Sequence, residues 1–142
     1  MGPSQYHNQY HKNAISTSSQ GRLIIMMYEG AIKFTTMAIK SIDEGDIAGQ
    51  GKYISKTHDI ISELSLALDI EKGGEVALRL ESLYQYTLSQ LTIANIKSDR
   101  KTLENIIKIL STLNNAWEQL FHTSTNTEKG FQESPRKITS KC

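Results

Sequence analysis

Apolar residues in this chain recur at alternating spacings of three and four, and that period decides the fold class. The clearest set is Leu103, Ile106, Leu110, Leu113, Trp117 and Leu120, spaced 3, 4, 3, 4 and 3. An α-helix turns once in 3.6 residues, so such a set forms one continuous stripe. Ile24, Met27, Ala31, Phe34, Ala38 and Ile42 form a second stripe, and Val76, Leu80, Leu83, Thr87, Leu91 and Ala94 a third. Between these, Ile47, Ile54, Ile61 and Leu68 recur every seven residues, with Gly51, His58 and Ser65 at the complementary positions. No segment sustains the strict alternation of a half-buried strand.

Local signals divide the pattern into helices. The oxygens of Ser16-Thr17-Ser18-Ser19 suit the start of a first helix, where orphan N–H groups need acceptors. Glu44-Gly45 suits its end, because glycine accepts the left-handed conformation of a C-terminal cap. Asp46 suits the start of a second helix, whose first turns are weakened by Gly49 and Gly51. Gly73-Gly74 is the clearest break in the sequence, and Ser98-Asp99 reads as a stop and restart. Four helices of about 22–26 residues follow, each roughly 33–39 Å long. Connections of a few residues make sequential neighbours antiparallel. The expected fold is all-α: an antiparallel up-down-up-down four-helix bundle over residues 19–122, with a short N-terminal cap segment, 1–18. Residues 123–142 carry Ser, Thr, Asn, Gly and Pro without a period and are read as a disordered tail.

Composition excludes several functions. Lys and Arg number 16 and Asp and Glu 15, a net charge of +1, too balanced for electrostatic capture of nucleic acid or acidic membrane. A single cysteine, Cys142, allows neither an intramolecular disulfide nor a cysteine-based zinc site. The longest apolar run, Leu23 to Tyr28, is far short of the roughly 20 residues that span a bilayer. The polar N-terminal segment lacks the apolar centre of a signal peptide. The expected location is cytoplasmic.

Catalytic and metal-binding patterns are also missing. A di-metal bundle site needs two Glu-x-x-His motifs, and the chain has none. His58-Asp59 resembles a metal-hydrolase doublet, but no other histidine lies between residues 12 and 121. His7 and His11, and Glu118 and His122, are spaced four apart without a third ligand nearby. No nucleophile elbow or phosphate-binding glycine loop is present. The expectation is a protein that is not an enzyme and holds no metal or cofactor.

What remains is surplus apolar surface. About three apolar positions in seven cover the core face of a bundle helix. The first helix carries a second row beside its stripe, Ile25, Ile32 and Ile39, and the fourth adds Ile107 and Phe121 with Asn114 between them. The third adds Tyr86, Ile93 and Ile96. These rows fit the inner helices of a bundle, or a groove that takes an amphipathic helix of another protein. The tyrosines of the N-terminal segment, Tyr6 and Tyr10, have amphipathic rings suited to lying over such a groove.

Three motifs resemble the FliS family of bacterial flagellin export chaperones. The first is Tyr10-x-x-Asn13-x-Ile15-x-Thr17-Ser18-Ser19-Gln20-Gly21-Arg22-Leu23-Ile24-x-Met26-Met27-Tyr28-Glu29-Gly30. The second is Leu91-x-x-Ala94-Asn95-x-x-x-Asp99, and the third is the late aromatic Trp117. The similarity covers about residues 5–122. Gln20 stands where the family usually has proline, and Tyr6 and Tyr10 are four apart where the family's tyrosines are three apart.

The resemblance implies a four-helix bundle that binds the disordered C-terminal segment of flagellin in apolar grooves. That segment is covered before it can polymerise, and the loaded chaperone docks on the flagellar export gate. A co-chaperone is a further implied partner. Carried onto this chain, Tyr10, Asn13 and Ile15 become a movable cover, and Tyr28 and Asn95 become the groove or its support. With the surplus rows, the candidate site is Tyr10, Asn13, Ile15, Ile25, Tyr28, Ile32, Asn95 and Ile107. The alternatives are a self-associating helical structural protein, or a small metal-binding helical enzyme using His58, Asp59 and Glu63.

Overall fold

Three aspartates end the three connections of the chain, and each starts the helix that follows it. The order is α1 (Pro3–Asp43), α2 (Ile47–Leu66), α3 (Ile70–Lys97) and α4 (Arg100–Lys141). The structure, a computed structural model, describes the backbone of residues 3–141 and the side chains of residues 19–122. The expected cover, 1–18, and tail, 123–142, therefore have side chains outside the described residues, and the expected boundaries at 19 and 122 fall inside α1 and α4.

Asp46 accepts a hydrogen bond from the Gly49 N–H at 2.9 Å, and Asp69 accepts one from the Lys72 N–H at 3.1 Å. Asp99 accepts from both the N–H of Thr102, at 3.2 Å, and its hydroxyl, at 2.8 Å. Each bond satisfies a donor that has no partner within the helix, worth about 0.5–2 kcal/mol. The preceding chain turns through left-handed residues at Gly45 (φ 69°) and Ser98 (φ 50°). The cap at Asp46 agrees with the sequence reading, and at the stop and restart read at Ser98-Asp99 it is Asp99 that caps. The break between α2 and α3 differs from that reading. It lies at Ala67–Asp69, and Gly73-Gly74 is a kink inside α3, with Gly74 at φ 55° and ψ −132°. Asp69 begins the helix early, and the glycine pair bends it without ending it.

The described residues hold no strand, and the helices form a four-helix bundle. The chain divides into two units, Met26–Asn114 and a second made of Met1–Ile25 with Asn115–Cys142. The larger unit contains parts of all four helices, and α2 and α3 pack along one another within it. Its core is formed by Tyr28, Ala31, Thr35 and Ala38 of α1, Gln50, Ile54, Thr57 and Ile61 of α2, Ala77, Tyr84, Thr87 and Leu91 of α3, and Leu103, Ile106 and Leu110 of α4. Spacings of three and four recur in each set, as coiled-coil-like packing requires.

The inward face of α1 is rotated from the expected one. Ala31 and Ala38 are inside as expected, but Tyr28, Thr35 and Ser41 are buried while Ile24, Met27, Phe34 and Ile42 are half-buried. The reason is polar pairing. The hydroxyls of Tyr28 and Tyr84 are hydrogen-bonded to each other in the core. The Thr35 hydroxyl donates to the Ala31 carbonyl at 2.7 Å and lies 3.1 Å from the Thr57 hydroxyl. Phe34, displaced to the flank, stacks on Tyr53 at 6.2 Å between ring centroids. Three residues expected in apolar stripes are instead exposed: Ile47 at 76%, Val76 at 67% and Leu120 at 60%. In the smaller unit, a Cβ placed on Gly21 would stand 2.8 Å from the Phe121 ring, so that close approach requires glycine.

The two glycine environments make opposite predictions. Gly74→Ala forces a side chain into a conformation that only glycine takes easily, and is expected to lower stability by about 1–3 kcal/mol. Gly51 lies inside α2 with nothing within 4 Å of an added Cβ. Gly51→Ala is expected to raise stability by about 0.5–1 kcal/mol. Urea denaturation of the two variants measures both shifts.

Candidate functional site

The seven-residue row Ile25, Ile32 and Ile39 lies on α1, and all three are half-buried, as is Ile107 on α4. Ile32, Ile39 and Ile107, all in the larger unit, flank its filled core positions and do not occupy them. Side chains in this state have part of their apolar surface still in water, at about 25 cal/mol for each Å² that a partner covers. Asn114, which continues the Ile107 row, is 8% exposed, and its carboxamide oxygen has no hydrogen-bond partner among the described residues. Phe121, next in the row, is half-buried.

Tyr28 does not line a surface. It is fully buried and hydrogen-bonded to Tyr84 inside the core. Asn95, near the end of α3, is exposed but tied down. Gln50, 2% exposed, donates from its amide nitrogen to the Asn95 backbone carbonyl at 2.9 Å and to the Asn95 side-chain oxygen at 3.1 Å. The Ser98 hydroxyl donates back to the Gln50 side-chain oxygen at 3.1 Å. One buried glutamine thus joins the start of α2 to the end of α3 and the turn after it. Asn95 belongs to this joint. Tyr10, Asn13 and Ile15 have side chains outside the described residues.

Charge at the same turn is ordered by short contacts. Asp99 has its carboxyl held below the usual carboxylate range, chiefly by the Thr102 hydroxyl, with the Thr102 and Lys101 N–H groups and the Lys97 ammonium adding to this against some desolvation. The Arg100 guanidinium is bonded to Glu104 in its own helix and to Asp43 at the end of α1. These pairs are exposed and hold the turn's geometry more than its energy. Elsewhere His58 is half-buried and Asp59 and Glu63 are exposed. The described residues contain no group of three or more His, Cys, Asp or Glu placed to hold a metal. No described helix is long and apolar enough to cross a membrane.

Sequence reasoning missed Gln50, Thr35, Thr57 and Tyr84. Their signal was present as seven-residue spacing, Tyr28 to Thr35, Gln50 to Thr57 and Ala77 to Tyr84 to Leu91, but it is written in polar and small residues.

The chain was compared with known proteins. The family model described as flagellar protein FliS matches residues 2–124. The flagellar secretion chaperone FliS of Salmonella typhimurium is 34% identical over 124 residues, spanning 87% of this chain and 88% of that protein. Its counterpart in Campylobacter jejuni is 33% identical over 119 residues, with 84% and 93% covered. That of Vibrio cholerae is 32% identical over 120 residues, with 82% and 88% covered.

If Gln50 and Asn95 form a structural joint, a double-mutant cycle will show it. Asn95→Ala and Gln50→Ala are each expected to lower stability, with a coupling of about 0.5–1.5 kcal/mol between them, read from urea denaturation. A second prediction concerns Asp99. Because its carboxyl is held low in the folded state, its contribution to stability is present above the unfolded carboxylate range and is lost as pH falls through the folded value. Thr102→Ala is expected to move that titration upward, measured by NMR of the Asp99 carboxyl.

Proposed function

This chain belongs to the FliS family, whose named members are flagellar secretion chaperones, and we propose that the segment it shields is the C-terminal region of flagellin. It acts as a flagellar secretion chaperone and binds a flagellar substrate. The observation that supports the finer reading is the set of half-buried isoleucines Ile32, Ile39 and Ile107 at the flanks of the larger unit's filled core, with Ile25, half-buried in the smaller unit, seven residues before Ile32 on α1.

The physics of such a pairing is coupled folding and binding. A disordered cargo segment loses conformational freedom as it settles on the bundle, and apolar burial must exceed that loss. Short amphipathic helices suit the surface, since their own apolar stripe repeats with the period of the isoleucine row. While covered, the segment is unavailable for polymerisation. Tyr10, Asn13 and Ile15 act as a cover over the groove until cargo arrives. The loaded complex then docks on the flagellar export gate, and a co-chaperone shares the free chaperone. All of this takes place in the cytoplasm, and it is binding alone, with no catalytic step and no cofactor.

Isothermal titration of the full chain with a flagellin C-terminal peptide tests the reading. One-to-one binding with a large negative heat-capacity change is expected. Ile25→Asp should weaken binding by about tenfold or more, roughly 1.4 kcal/mol, while shifting the melting temperature by only a few degrees. No binding by the natural chain would sink the assignment of flagellin. A variant that unfolds would place Ile25 in the core and remove it from the groove.

A further inference from the structure

The buried positions of α4 in the larger unit are Leu103, Ile106, Leu110 and Asn114, at spacings of 3, 4 and 4. The first three are filled by leucine and isoleucine. The fourth is an asparagine, 8% exposed, whose side-chain oxygen is enclosed and has no hydrogen-bond partner among the described residues. Thr35, Gln50, Thr57 and Thr87, buried in the same unit, all have partners. Arg100 at the start of α4 is bonded to Asp43 at the end of α1. At 1.5 Å per residue, Asn114 and Tyr28 each stand about 21–23 Å along their helices from that pair, so they share one level of the bundle. The hydroxyls of Tyr28 and Tyr84 are bonded to each other there, and the Asn114 oxygen is left out.

An enclosed oxygen without a partner costs stability, and leucine would fill the position without that cost. A group kept in this state calls for a role that recovers the loss. Two features connect that role with cargo. Asn114 stands in line with the half-buried isoleucines: Ile107 precedes it by seven residues on α4, and Ile32 is about one turn from the level of Tyr28 on α1. A lone asparagine among apolar positions spaced by seven is also the device that fixes register between paired helices, at a cost in stability. Apolar rows alone do this poorly, because burial depends on area and not on direction. The carboxamide is suited to the task. Its last torsion is broad and roughly two-fold, so a half-turn exchanges oxygen and nitrogen with little change of shape, and one side chain presents either an acceptor or a donor.

We propose that Asn114 determines cargo specificity: its carboxamide bonds a polar side chain of the docked cargo helix, seven residues from the apolar side chain seated at Ile107, and so holds that helix in one register. The proposal rests on the reading of the flagellin C-terminal region as cargo. It narrows the recognised segment to an amphipathic helix whose apolar stripe is interrupted by one amide or hydroxyl side chain. A cargo helix displaced along the row leaves the Asn114 oxygen unpaired and sets its own polar side chain against an isoleucine.

Isothermal titration of the full chain and of Asn114→Leu tests this, using the flagellin C-terminal peptide and versions of it in which each Asn, Gln, Ser and Thr is replaced by leucine in turn. Asn114→Leu is expected to melt a few degrees higher than the natural chain and to bind the natural peptide about tenfold more weakly. One peptide position is expected to cost about tenfold when made leucine against the natural chain, and nothing against Asn114→Leu. A purely structural asparagine would not produce that coupling. Should Asn114→Leu fail to fold, Asn114→Ala carries the same comparison. A natural peptide that does not bind the natural chain overturns the flagellin reading and this proposal with it. Binding that Asn114→Leu retains in full, with no coupled peptide position, overturns this proposal alone. A variant that melts lower at unchanged affinity does so as well, and assigns Asn114 to the fold.

Discussion

The hydroxyl pair of Tyr28 and Tyr84 governs the rest of the bundle. Both side chains are buried, and in the core a hydroxyl without a partner costs about 1–3 kcal/mol. Rotating α1 by one residue would bring an apolar side chain inward, but it would break this pair and the Thr35–Thr57 contact together. The Gln50 bonds to Asn95 and the Ser98 bond to Gln50 do the same for the joint of α2 with the end of α3. Each bond is worth little on its own. Together they select one rotation of each helix from several that apolar burial alone would accept.

Polar residues inside have a consequence outside. Positions of α1 taken by Tyr28, Thr35 and Ser41 are denied to Met27, Phe34 and Ile42, which move to the flanks with Ile25, Ile32 and Ile39. The small residues Ala31, Ala38, Ala77 and Ala94 let the helices approach closely, so a full core needs few large side chains. Apolar surface on the outside is therefore a product of how the inside is satisfied. A protein that must hold an apolar segment needs that surface, and a bundle with an all-leucine core would have to obtain it by adding more apolar residues.

This also explains what could be read from the sequence. Four helices, the Asp46 cap, the left-handed turn at Gly45 and the stop and restart at Ser98-Asp99 follow from local rules, and the structure has them. Asp69 was hidden by the more conspicuous Gly73-Gly74, because a glycine pair signals a bend and a stop in the same way. The inward face of α1 was hidden for a different reason. The helix has two apolar sides, so periodicity fits either, and the interaction that decides between them joins residues 56 positions apart. Among the candidate residues, Ile25 and Ile32 were legible as part of a second row on α1 and Ile107 as part of a separate row on α4, and all three are half-buried. Tyr28 and Asn95 were legible as motif members only. Their positions, one in the core and one in a hydrogen-bonded joint, depend on partners in other helices.

The near-neutral net charge of +1 limits how this surface can act. Association without electrostatic steering proceeds at about 10⁵–10⁶ M⁻¹s⁻¹, so affinity has to be set by how slowly the complex separates. Apolar burial supplies that slowness without demanding particular partner side chains, because it depends on area and not on direction. If the isoleucine rows bind cargo as proposed, discrimination comes from shape: their fixed spacing and the register that the buried hydroxyls impose on α1. A bundle with the same exterior and a fluid, purely apolar interior would present rows that slide against one another. The polar core is what keeps the rows proposed to bind cargo in one arrangement.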